Sequence, residues 1–115
     1  MRFKMILATL KPHLTEDVVD AVKKAGATGA TIIPGRGTGI REAKSFFGLS
    51  LETQTDIIML VVEEHVVDEI LDAIKEAGRF FEPGTGIAFV LPIEHVCGLD
   101  SQMKKFKEQA RDQYL

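Results

Sequence analysis

Residues 18–26, VVDAVKKAG, and residues 70–78, ILDAIKEAG, match in register at Asp, Ala, Lys, Ala and Gly. No other feature constrains the fold of this chain as much. Each copy has helical spacing: in the first, Val18, Val19, Val22 and Ala25 share a face. Lys23 and Lys24 sit near its C-terminal end and Gly26 supplies a stop. Upstream, Thr15 is expected as the N-cap, with Glu16 and Asp17 on the first turn, where the helix dipole favours negative charge. The second copy closes a helix expected over about residues 66–77. Apolar runs flank both copies. FKMILATL (3–10) and ATIIP (30–34) bracket the first, and TDIIMLVVEE (55–64) and IAFVLPI (87–93) bracket the second. The run from Ile57 to Val62 is unbroken, and Pro92 places the last strand at a bend or an edge.

The order is therefore βαβ, a long connection, and βαβ again, an internal repeat that organises the chain. Two such halves give an α+β fold of ferredoxin-like architecture, an antiparallel sheet with two helices on one face. The other sheet face would carry alternate apolar residues with nothing over them. That predicts burial against further copies, a homo-oligomer. At 115 residues the chain is expected to be one domain spanning 1–115.

Net charge of −3 excludes a general affinity for nucleic acid or for an acidic membrane surface. No stretch approaches the roughly 20 apolar residues that span a bilayer, so no membrane insertion is expected. The N-terminal apolar run is interrupted by Lys4 and lacks the pattern of a signal peptide. One cysteine, Cys97, fits a reducing compartment, and the chain reads as cytoplasmic.

Enzymatic chemistry is not expected. His13, His65 and His95 lie far apart without metal-ligand spacing, and loop or surface positions are their default. Nothing near Cys97 lowers its pKa, so it reads as a structural thiol and not as a nucleophile. The carboxylates are scattered over helix faces without an acid/base pair. Two glycine segments stand out instead. GTGI occurs at 37–40, inside a connection of 35–54, and again at 84–87, where PGTG enters the last strand. Gly-x-Gly lets backbone N–H groups converge on an anion, although either copy alone serves equally well as a turn. Neither is a P-loop, since no Gly-Lys-Ser/Thr follows. A connection this long signals function, and it carries Arg41, Lys44, Phe46 and Phe47. The terminal stretch 100–115 reads as a helix with a thin stripe of Met103, Phe106, Ala110 and Tyr114.

Together, the strand ending LKP (10–12), KKAGATGAT (23–31), GRGTG (35–39), IIMLVV, the AIKEAG helix end and PGTG before IAFVLPIEHV have an order and spacing that resembles the P-II nitrogen-regulatory signalling family over about residues 3–100. The resemblance implies homotrimers whose sheets pack inward. It implies an adenine-nucleotide effector, ADP, AMP or ATP, in clefts between subunits, with bicarbonate or another small anion as a further candidate. Carried over, Thr31 and Gly37-Thr38-Gly39 would lie along the base of the long loop (the family's T-loop). Gly84-Thr85-Gly86, in the B-loop at 82–86, would cradle phosphates, and Thr9 and Val61 would border the adenine. The C-terminal segment of a neighbouring subunit would close the pocket. The long loop would plug into a regulated partner, a membrane transporter being one candidate, through Arg41, Lys44, Phe46 and Phe47.

Three departures bear on the ligand. Ile87 stands where the family has a lysine, VCGLDS stands where it has paired arginines, and the only tyrosine is Tyr114, so the loop's acceptor tyrosine is absent. Arg36, Arg41 and Arg79 are the substitute cations. Two rival readings use the same fold: a trimer resembling the divalent-cation-tolerance (CutA) family, with His95 and Cys97 as ligands, and a trimeric interaction module without any ligand.

Overall fold

The computed structural model describes residues 2–37, 45–46, 49–50 and 53–99. Strand β1 spans Phe3–Leu10, helix α1 Thr15–Lys24, β2 Thr31–Gly37, and two short strands follow at Ser45–Phe46 (β3) and Leu49–Ser50 (β4). Strand β5 spans Thr53–Glu63, helix α2 Val67–Ala77, and β6 Ala88–Pro92. The main sheet has the order β2-β5-β1-β6, and each of its pairings is antiparallel. Both prolines within the sheet, Pro34 and Pro92, fall on the edge strands β2 and β6. There a missing N–H need not cost a ladder bond.

The repeat packs as its spacing requires. Val18 and Val22 of α1 and the equivalent Ile70 and Ile74 of α2 are all fully buried. They rest on Ile6, Ala8 and Leu10 of β1 and Ile58, Leu60 and Val62 of β5. Burying each of the valine, leucine and isoleucine side chains stabilises the fold by about 1.5–3 kcal/mol. The alternate residues point the other way. Met5, Leu7, Ile57 and Met59 are half-buried, while Ile33, Val61, Phe89 and Leu91 are exposed on a face that no helix covers.

Two expectations need correction. Thr15 is not the N-cap of α1. A 3-10 turn over Pro12–Leu14 leads into the helix, and Thr15 is its first residue, buried, with its hydroxyl donating to Asp56 Oδ2 at 2.7 Å. The connection at 35–54 is also shorter than its composition suggested, because β2 runs on to Gly37 and β5 begins at Thr53. Within it, β3 and β4 pair Ser45 with Ser50 and Phe46 with Leu49. The expected terminal helix lies outside the described residues.

Candidate functional site

The predicted site residues fall into two groups at different places on the uncovered sheet side. The first gathers where β1 ends and β6 begins. Thr9 and Ile87 exchange hydrogen bonds: the Thr9 N–H donates to the Ile87 carbonyl at 2.9 Å, and the Ile87 N–H donates to Thr9 Oγ1 at 3.1 Å. This clamps the glycine loop 84–86 against β1. At Gly86 the approach is so close that an added Cβ would lie 1.9 Å from the Thr9 carbonyl oxygen, so only glycine fits. Thr85 is buried, and its hydroxyl faces the carbonyls of Arg79 at 2.8 Å and Glu82 at 2.9 Å. That hydroxyl closes the turn, and what the loop offers an anion is its backbone N–H groups.

The base of the long loop meets the same end of the sheet. Thr55 Oγ1 donates to the Leu10 carbonyl at 2.9 Å, one residue beyond Thr9. Gly35 pairs with Thr55 and Gly37 with Thr53. Gly35 and Gly37 are therefore tethered near the last residues of β1 through β5, and the glycine loop 84–86 directly.

The second group is a cleft of about 500 Å3, lined by residues 28–31, Met59, Val61 and residues 96–99. That volume suits a small organic ligand. Thr31 and Val61 belong here, and so does the exposed, unpaired thiol of Cys97. The segment after β6 reaches the cleft by passing the start of β1, where residues 2–4 and 92–94 with Val96 line a smaller hollow of about 310 Å3.

Strand geometry keeps the two groups apart within one chain. Thr31 and Gly37 begin and end β2, which separates them by roughly 20 Å at 3.3 Å per residue. Val61 lies opposite Met5, four residues from Thr9 along β1, or roughly 13 Å. Within one chain Thr31 thus lies a strand's length from the base of the long loop, and Thr9 and Val61 of the same copy are too far apart to border one small ring. Thr38, Gly39, Arg41, Lys44 and Phe47 lie outside the described residues, and Phe46 is described only through its place in β3.

Sequence reasoning missed Gly29, Met59, Thr55 and Asp56. The unbroken apolar run Ile57–Val62 carried the signal for Met59, since alternate residues of a strand share a face and Met59 falls beside Val61. Among the described residues, no group of three or more His, Cys, Asp or Glu side chains converges to hold a metal ion, His95 and Cys97 included. No described helix is long and apolar enough to cross a membrane.

Comparison with known proteins gives a consistent picture. The family model described as Nitrogen regulatory protein P-II matches residues 3–102. The chain is 31% identical over 97 residues to nitrogen regulatory protein GlnK2 of Haloferax mediterranei, covering 80% of this chain and 79% of that protein. It is 29% identical over 98 residues to nitrogen regulatory protein P-II of Azospirillum brasilense, covering 81% and 88%. It is 30% identical over 105 residues to the nitrogen fixation nifHD region GlnB-like protein 1 of Methanobacterium ivanovii, covering 88% and 97%.

Proposed function

Because this chain belongs to the nitrogen regulatory protein P-II family, we propose that it is a homotrimeric signalling protein that binds an adenine nucleotide between subunits. The observation that carries this reading is the partition of the site residues. One copy presents a glycine loop and loop base where β1 ends, and a separate cleft beside Thr31, Met59 and Val61. Each is half a pocket. A closed ring of copies, each using one patch against the other patch of its neighbour, joins the halves into complete sites. The uncovered apolar face supplies the adhesive, with Leu7 and Met59 paired at its middle.

In this reading the glycine loop 84–86 takes phosphate through backbone N–H groups, while the apolar floor and residues 96–99 of a neighbour enclose the base. The ligand reports to the long loop through β1. Thr9 holds the glycine loop and the next residue, Leu10, holds Thr55 at the loop base. A ligand shifts the loop only by as much as its affinity differs between the loop's states. Arg41, Lys44, Phe46 and Phe47 then contact the regulated protein, a transporter being the leading candidate. Regulation and not catalysis is the output.

A thermal-shift panel of ATP, ADP, AMP, bicarbonate, zinc and copper tests the reading. Stabilisation by an adenine nucleotide, absent in Gly84→Asp, is expected. A response to metals alone would replace it with the ion-binding alternative, and silence across the panel would leave a ligand-free interaction module. Gly84 is the right probe, because Gly86 is required for folding whether or not a ligand binds.

A further inference from the structure

We propose that the pocket selects a nucleoside monophosphate over a triphosphate, and that Ile87 is the residue that sets this preference. The inference rests on the nucleotide-binding reading above and sharpens it. The glycine loop's capacity for anions is limited by bonds it has already made. The Ile87 N–H is held by Thr9 Oγ1, and the Thr85 hydroxyl is directed at the carbonyls of Arg79 and Glu82. The N–H groups of residues 84–86 are what remain, a nest on the scale of one phosphate group.

Beyond that nest the surface is hydrocarbon. Ile87 is 60% exposed, and it continues a row across the open face made by Ile33, Ile57 and Thr9. A chain of further phosphates leaving the nest toward Ile87 would lose water and gain no donor, and desolvating charge without a partner is costly. The local charge agrees. Residues 80–103 contain no Lys or Arg, while Glu82, Glu94 and Asp100 all fall within them. Arg79 precedes the loop, Lys11 follows the end of β1, and Arg36 lies across the sheet near the end of β2. The nest itself matches a single phosphate.

Titration calorimetry of the full chain with AMP, cyclic AMP, ADP and ATP, with and without magnesium, tests the proposal. Wild type is expected to bind AMP or cyclic AMP at least about tenfold more tightly than ATP. The AMP and cyclic AMP arms distinguish an open monophosphate from a phosphodiester. In Ile87→Lys the ATP affinity should rise by about tenfold to a hundredfold, the scale of one charge-assisted hydrogen bond, while AMP changes by no more than about threefold. Light scattering on the variant shows whether assembly is preserved, and the wild-type ratio stands without any variant. ATP binding as tightly as AMP to wild type would overturn the proposal. So would an unchanged preference in a correctly assembled Ile87→Lys. Silence toward every adenine nucleotide would remove the parent reading as well.

Discussion

Thr9 and Ile87 hold each other by two hydrogen bonds of 2.9 and 3.1 Å, one in each direction, and so fix the glycine loop to the end of β1. Removing the side-chain half of this exchange tests its worth. Thr9→Val is expected to lower unfolding free energy by about 0.5–1.5 kcal/mol, the usual net value of one hydrogen bond. Urea denaturation measures it. A variant as stable as wild type would mean that the Thr9 N–H bond and packing hold the loop without the side chain.

Gly86 and Gly84 should part company under substitution. Gly86→Ala drives a Cβ into the Thr9 carbonyl at 1.9 Å. A backbone contact of that kind cannot relax by a rotamer change. The loss is expected to exceed about 3 kcal/mol, among the largest single-residue effects. Gly84 has φ +78° and open space where a Cβ would stand, so Gly84→Ala is expected to cost about 1–2 kcal/mol from its left-handed backbone alone. Thermal denaturation of the pair decides it, and equal losses would contradict the geometry.

The part-buried Thr15–Asp56 bond links the start of α1 to β5 close to the long loop. Thr15→Val keeps the shape and deletes the donor, leaving Asp56 Oδ2 without it. A destabilisation of about 1–3 kcal/mol is expected. A double-mutant cycle with Asp56→Ala, which removes the acceptor, should show coupling, since the two residues share one bond. Additive losses would mean that the contact is incidental.

How much of this was legible in the sequence depended on how local the cause was. The repeat placed both helices and their buried residues, because Val18, Val22, Ile70 and Ile74 declare themselves by spacing alone. The unbroken apolar run Ile57–Val62 signalled a second apolar sheet face, because both sides of a strand so composed are hydrocarbon. Thr15 misled because a hydroxyl before Glu16 and Asp17 looks like a cap, whereas its acceptor, Asp56, is 41 positions away. ATIIP reads as a strand that stops at proline, yet on an edge Pro34 and two glycines are tolerated, so β2 continues to Gly37 and holds Thr31 and Gly37 at its opposite ends. Their separation along β2 is what motivates the proposal of a pocket assembled from two copies.

The uncovered face makes a direct demand on assembly. Leu7 and Met59 lie opposite each other on the two central strands, away from the helices. The native protein is expected to scatter light as a trimer of 12.7 kDa chains. Leu7→Glu should yield a folded monomer, because the charge points to solvent in a single copy and into the interface in the ring. A monomeric wild type would contradict the reading of that face, and a trimeric Leu7→Glu would place the interface elsewhere.

The claim that the pocket is shared between copies has its most direct test in subunit mixing. Gly29→Trp fills the cleft half, where an added Cβ meets nothing within 4 Å, so the fold should survive. Gly84→Asp spoils the loop half by setting a carboxylate against the phosphate, and Asp tolerates a left-handed backbone. Each variant alone should bind no AMP. Refolded together, they should regain binding, because a mixed ring contains an interface with both halves intact. Recovery of AMP binding in the mixture is the predicted result. Binding by wild type with no recovery on mixing would contradict the account and place the site within one chain.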